Sequence, residues 1–398
     1  MHKSEVIAGM YDLTAAESEN GDVVFRNNTN GKYIILGYPE AQYFCRLISS
    51  EELLSGIPHR GDDTRTLTVE EGEYLMSCIR KSSFLSGKKP APLQWIKYMG
   101  ISKIQLIRFD PSHILNRIPR SICSIFSGWG ICASAALGLF MLLLMRLNGT
   151  DILYDLQREN ESPEALLTAG IISIISLAFH ETAHGMACRY YGGTVRGMGI
   201  MLYFFIPCPF CDVSDIYMMK KRRHRLWVSL AGISANMITG DMAIAVYLIS
   251  GKGTEPGRGM LYFCIFNIIT ILFNLIPFVK LDGYWALSAV SGIFNLMGRA
   301  EEALADRLDR ILRKSIHCCP AAAYLALYGG AVVVFRPVFW MASAAGLRGI
   351  LGGTGAPAGL SEAVFIAAAA AGTADTVLYI MKIFRKNRRD TAQSGNTG

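Results

Sequence analysis

Long apolar runs dominate the chain beyond its first third. Stretches near the ~20 residues needed to cross a bilayer recur six times, at about 123–145, 166–188, 226–249, 259–280, 321–345 and 360–383. Each predicts a membrane-spanning helix. Residues 192–219 break the rhythm: they are apolar but interrupted by Gly192, Gly193, Gly197, Gly199, Pro207 and Pro209. That density of Gly and Pro excludes a clean helix, so a re-entrant loop or β-hairpin covered by the bundle is expected. Residues 1–90 follow another pattern. Val23-Val24-Phe25 and Tyr33-Ile34-Ile35-Leu36 flank a turn containing Asn30-Gly31, a hairpin signal, and helical patterns follow at about 39–54 and 68–80. The expected fold is an α-helical polytopic membrane protein of about six transmembrane helices with a small N-terminal winged-helix-like α+β domain. The expected divisions are that domain at 1–90, an interfacial linker at 91–122, the membrane-embedded domain at 123–383 and a basic cytoplasmic tail at 384–398. In the linker Trp95, Tyr98 and Phe109 suit the headgroup level.

Composition and charge sharpen this picture. The chain is 51% hydrophobic and 18% charged, which suits a polytopic membrane protein better than a soluble enzyme. Its net charge of +7 collects in four places. Arg117 and Arg120 precede the first span, and Lys220 to Arg223 with Arg225 follow the second. Arg307, Arg310, Arg313 and Lys314 follow the fourth, and Lys382, Arg385, Lys386, Arg388 and Arg389 follow the sixth. All four clusters fall on one side, so the positive-inside rule puts both termini of this expected cell-membrane protein in the cytoplasm. Met1-His2-Lys3-Ser4-Glu5 leads into polar sequence, so no signal peptide is expected and the N-terminus is expected to stay in the cytosol. Residues 1–90 hold 10 Lys+Arg against 13 Asp+Glu, a net of −3, which lacks the basic footprint of nucleic-acid binding. Peptide or protein recognition fits that segment better. The ten cysteines form no spaced framework. Cys208-Pro209-Phe210-Cys211 is a CxxC without a second copy, and it reads as structural.

The chemistry sits in the second apolar run. His180-Glu181-Thr182-Ala183-His184 reads HExxH, a chance match at a rate on the order of one in a hundred or less. Histidines at i and i+4 share one helical face and can supply two nitrogen ligands to Zn²⁺. Glu181 between them is placed as general base. A hydrolytic zinc keeps three protein ligands, so a third donor is needed. Asp241, Asp282, Asp375, Asp212 and Asp215 are the candidates. Span two runs inward and puts the histidines in its cytosolic half. Span four runs the same way and delivers Asp282 at its cytosolic end, after Pro277 breaks the helix. Asp282 is therefore the expected third ligand. Asp241 lies in the outer half of span three, at the depth of Arg336 in span five, and the two charges are expected to pair.

HExxH in one span, with Asn274-Leu275-Ile276-Pro277 leading to Leu281-Asp282-Gly283 in a later one, resembles the site-2 protease family of intramembrane zinc metallopeptidases. Ala231-Gly232 followed by Asn236 is also similar to that family. The resemblance implies zinc on His180, His184 and Asp282, Glu181 as base, and Asn274 holding an extended substrate strand. Asp282-Gly283-Tyr284-Trp285, Asp212-Val213-Ser214-Asp215 and Arg108-Phe109-Asp110-Pro111 resemble a bacterial branch of peptide zinc metalloproteases. Many of that branch have asparagine directly before the proline, where this chain has Ile276. Val24 to Asn27 and Gly31 to Tyr33 resemble a PqqD-like leader-peptide recognition module. The expected function is a membrane-embedded zinc endopeptidase that cleaves a peptide or membrane-associated substrate near the cytoplasmic face. The resemblance leaves two roles open, maturation of a ribosomally made modified peptide and regulated signalling proteolysis. The competing functions are a catalytically silent peptide-binding scaffold and a metal transporter. Transport would need further donors through the outer half of the membrane, where the chain offers Asp241 and no histidine.

Overall fold

The computed structural model describes residues 12–48, 51–54, 57, 67–86, 93–99, 102–157, 162–312, 320–353 and 357–394. Arg313, Lys314, Cys318 and Cys319 lie outside the described residues. In chain order the elements begin with strands β1 (Leu13–Glu17), β2 (Val23–Asn27) and β3 (Tyr33–Leu36) and helices α1 (Tyr38–Leu47) and α2 (Val69–Lys81). Strands β4 (Leu93–Tyr98) and β5 (Lys103–Phe109) follow, then α3 (Ser112–Leu115), α4 (Arg120–Cys123), α5 (Gly128–Leu147), α6 (Gly149–Gln157) and α7 (Pro163–Tyr190). Next come β6 (Met198–Tyr203), β7 (Ile206–Cys211), α8 (Arg222–Val246) and α9 (Glu255–Asn274). The chain ends with α10 (Asp282–Ser291), α11 (Leu296–Leu312), α12 (Pro320–Gly353) and α13 (Ala358–Ser394). Among the described residues six helices are long and apolar enough to cross a membrane: Gly128–Leu147, Pro163–Tyr190, Arg222–Gly251, Glu255–Asn274, Ala323–Gly353 and Gly359–Met381. They overlap all six expected spans. The fold is thus a six-span helical membrane protein with a small N-terminal sheet domain.

The chain divides into two compact units. The first holds Met1–Gln94, Phe109–Met198 and Cys211–Leu272, and the second Trp95–Arg108, Gly199–Phe210 and Phe273–Gly398. In the first, β1, β2 and β3 form an antiparallel sheet in that order, with Arg26 opposite Tyr33 and Phe25 opposite Ile34. Val23, Val24 and Phe25 are buried, and Phe25, Phe44 and Phe84 stack edge-on to form the centre of its core. Strand β1 has no counterpart in the sequence reading, because Leu13-Thr14-Ala15-Ala16-Glu17 has too few β-formers to stand out. Helix α2 starts on a capping box in which Thr68 and Glu71 satisfy each other's backbone N–H groups. In the same unit α8 packs against both α5 and α7. Hydroxyls bridge these contacts: Ser134 to Ser234 at 2.7 Å, and Ser176 to Thr239 at 2.7 Å. Asn267 of α9 donates to the Asn236 carbonyl at 2.7 Å. Such interhelical bonds replace the hydrophobic drive that apolar helices lack in lipid.

The second unit contains a four-stranded sheet, β4-β5-β6-β7. Residues 192–219 thus include a β-hairpin, one of the two expected solutions. Pro207 and Pro209 fall on β7, an edge strand, where two missing N–H donors leave the ladder to β6 intact. Phe204 and Phe205 form the hairpin tip with φ of 51° and 64°, a left-handed pair that usually calls for Asn-Gly. Their rings lodge against Phe339 and Trp340 of α12 at centroid separations of 4.8 to 5.3 Å. Helices α12 and α13 run antiparallel, with Arg336 against Asp375 and Arg348 against Glu362. The expected pairing of Arg336 with Asp241 is therefore corrected. Arg336 Nη2 lies 2.6 Å from Asp375 Oδ2, which also accepts from Trp340 Nε1 at 2.9 Å. Depth in the bilayer is shared by several helices; the sequential neighbour decides the partner.

Candidate metal centre

Helix α7 begins at Ser162, whose side chain accepts from the Ala165 N–H, with Pro163 at the first helical position and Glu164 in the first turn. It then runs 28 residues unbroken, which places His180 and His184 one turn apart on one face. Both are buried. Their Nε2 atoms stand 3.3 Å apart and the rings meet edge-on, with centroids 5.0 Å apart. Two ligands at the usual zinc–nitrogen distance of about 2.0–2.1 Å, set at a tetrahedral angle, are separated by about 3.3 Å, so the pair fits one ion. The Nδ1 of His184 is 2.8 Å from the Val228 carbonyl of α8. A carbonyl can only accept, so Nδ1 donates there and the ring is held with Nε2 toward His180, the orientation a metal ligand needs.

Helix α8 shapes the space in front of the pair. A Cβ built on Gly232 would stand 2.5 Å from His184 Nε2 and closer still to His180 Nε2. Only a residue without a side chain leaves the two nitrogens room for an ion. Val228, Gly232 and Asn236 are spaced by four, so the carbonyl, the gap and the buried amide line one face of α8. The spacing was visible in the sequence, but nothing local marked Val228 as a partner of His184. Glu181 is half-buried between the histidines.

Asp282 opens α10 in the second unit, and Asn274 closes α9 in the same unit. Gly283, next after Asp282, lies over the backbone of Asn274 and Leu275, and a Cβ there would collide with the Leu275 carbonyl. The Tyr328 hydroxyl donates to the Pro277 carbonyl at 2.5 Å and fixes the broken segment from outside. Asp212 accepts from the Ser214 N–H and hydroxyl at 3.2 and 2.5 Å, and Asp215 is held by Arg26, Tyr33, Thr194 and Arg196. These two carboxylates serve the protein's own donors. Cys208 and Cys211 stand outside any disulfide. Burial first, and then the charge of Glu181, push the Cys211 thiol well above its ordinary value, so it is no reactive thiolate.

No family profile matches the chain, and no solved structure matches it significantly. Among curated proteins it is similar to the "Putative peptide zinc metalloprotease protein YydH" of Bacillus subtilis (strain 168), at 27% identity over 120 residues. The match covers 30% of this chain and 46% of that protein, so the chain spans less than half the length of the relative. This distant similarity and the six apolar helices fit a membrane metalloprotease.

Proposed function

We propose that the protein is a membrane-embedded zinc endopeptidase of the site-2 protease type. The observation that carries the reading is the convergence of the His180 and His184 Nε2 atoms at 3.3 Å on a helix long and apolar enough to span a membrane, with Glu181 between them. His180, His184 and Asp282 would hold the ion, and Gly232 would leave it room. Zinc, when bound, supplies a Lewis acid that lowers the pKa of water to about 7 and polarises a carbonyl. Glu181 accepts the proton from the attacking water and passes it to the leaving amine. The Nδ1 of His184 donates to the Val228 carbonyl, which would orient Nε2 as the ligand atom. Asn274 orients an extended substrate strand. The buried face of α7 limits access of bulk water.

The substrate we assign is a peptide or membrane-associated chain cut near the cytoplasmic face, with a role in maturing a ribosomally made modified peptide. The N-terminal domain is its PqqD-like recognition module, and both chain ends are cytoplasmic. Metal analysis of the purified protein tests the reading. One zinc per chain is expected, removed by a chelator together with peptidase activity. Glu181→Gln should keep the zinc and lose about 10²–10⁴-fold in turnover, the usual weight of a general base. His180→Ala and Asp282→Ala should lose both metal and activity. Full zinc content in His180→Ala, or full turnover in Glu181→Gln, would refute the assignment.

A further inference from the structure

Asp215 lies 35 residues after His180, in the short helical turn Ser214–Met218 that follows the β6–β7 hairpin. Its carboxylate is 2% exposed and surrounded by donors from two separate parts of the first unit. From the N-terminal sheet, Arg26 Nη1 reaches both oxygens at 3.2 and 3.1 Å, and the Tyr33 hydroxyl donates to Oδ1. Those two residues face each other across β2 and β3. From the link that leaves α7, the Thr194 N–H and hydroxyl donate to Oδ2 at 2.7 and 2.5 Å, and Arg196 Nη2 lies 3.5 Å from Oδ1. Arg196 Nε also donates to the Tyr33 hydroxyl at 2.8 Å, with the guanidinium 5.1 Å from the Tyr33 ring centre. Gly31 lets the β2–β3 turn come close, since a Cβ there would strike Arg196.

Other contacts flank this hub. Lys220 Nζ lies 3.1 Å from Glu17, and Arg222 pairs with Glu19 at 3.2 Å. They differ from it in exposure: the Lys220 side chain is 62% exposed, and Arg222 and Glu19 are 37% and 41%. Exposed pairs contribute little, whereas removing a buried carboxylate that several donors share leaves uncompensated charge behind. Asp215 is thus the most buried of the carboxylates in these contacts, and the one that gathers the most donors.

We infer that Asp215 is a clamp that fixes the N-terminal domain onto the Thr194–Arg196 link, so that the domain works docked beside the exit of the His180–His184 helix and not as an arm on a tether. The docking rests on geometry alone; its use in presenting a peptide rests on the endopeptidase reading above. Glu17 and Lys220 give a direct readout, because a zero-length carbodiimide joins a carboxylate to an amine only when they touch. The full-length protein in detergent, and its Asp215→Asn variant, would be treated with the reagent, digested and analysed by mass spectrometry. Zinc content and amide exchange at Thr194 would be measured alongside.

In Asp215→Asn the Glu17–Lys220 cross-link should fall by about tenfold or more and the Thr194 amide should exchange faster, while zinc content stays at the wild-type level. Arg26→Gln with Tyr33→Phe removes the clamp from the opposite side and should act alike. This pair decides the matter if Asp215→Asn fails to fold. Wild-type cross-link yield in both variants would overturn the clamp. Loss in Asp215→Asn alone would also overturn it, since the carboxylate would then serve only the link. A wild-type protein that binds no zinc yet shows the full cross-link pattern would sink the endopeptidase reading and leave the clamp standing.

Discussion

At the scale of single residues, the candidate site depends on an absence as much as on its donors. Gly232 puts no atom in front of His180 and His184. Gly232→Ala should weaken zinc binding by about 10- to 100-fold, as expected for a change beside the ligands, at a folding cost of only about 1–3 kcal/mol for an overpacked methyl. Competition with a chelator of known affinity measures the first effect and thermal unfolding the second. Unchanged zinc affinity would mean that α8 yields or that the ion lies elsewhere. The histidines and Glu181 were legible because helical spacing alone sets their common face. Gly232 stood in a recognised motif, but its reason is the approach of α8 to α7, which no local pattern encodes. Asp215 was legible as a candidate metal donor and as part of the Asp212-Val213-Ser214-Asp215 motif, not as a partner of the N-terminal sheet. Its partner Arg26 is 189 positions away, so chemistry in sequence suggested a donor for metal where the fold supplies guanidiniums.

At the scale of elements, the six spans followed from hydropathy because lipid forces each backbone to satisfy itself as a helix. Strands β4 and β5 were not legible. Their residues carry mixed polarity, and β4 has exposed Trp95, Ile96 and Tyr98 on an edge, so neither face shows the alternation that marks a half-buried strand. Charge pairing was legible in kind and not in partner. Arg336 sits over the Tyr379 ring at 4.3 Å and bonds Asp375, so α12 and α13 share a polar lock within apolar surroundings. Arg336→Leu should destabilise the protein by about 3–5 kcal/mol, because Asp375 is left buried with its charge uncompensated. Adding Asp375→Asn should recover much of that loss, whereas adding Asp241→Asn should recover none. Unfolding in a denaturing detergent titration reads all three. Recovery with Asp241→Asn would reinstate the pairing that the sequence suggested.

At the scale of the whole molecule, acid should act on the docking of the N-terminal domain before it acts on the helices. Burial works to raise the Asp215 pKa, but hydrogen bonds from Thr194 and Tyr33 and the charge of Arg26 outweigh it and hold the group below the usual carboxylate value. A depressed pKa contributes stability that is complete above the unfolded value near 3.9 and is lost as pH falls through the folded one. Burial, reinforced by Asp215, pushes the Tyr33 hydroxyl up, so it remains a donor through neutral and mildly alkaline pH. Amide protection at Thr194 should accordingly hold from about pH 5 upward and disappear only below about pH 4. Loss of protection near pH 6 would assign the docking to another group. In sequence, the N-terminal domain was visible as a separate unit with an acidic balance, while its attachment was invisible. Attachment is a tertiary fact carried by a few buried charges.

The left-handed Phe204–Phe205 tip has a consequence for the order in which the protein is made. Two bulky residues at positive φ make the tip of the β6–β7 turn locally unfavourable, and beside the strand ladder the aromatic shelf of Phe339 and Trp340 packs against it. That shelf leaves the ribosome more than 120 residues after the turn does. Chains emerge from the N-terminal end, so the tip can gain this aromatic packing only after two further spans have been made. A nascent chain halted before α12 holds the HExxH helix and both hairpin strands, yet not the shelf that packs on the turn.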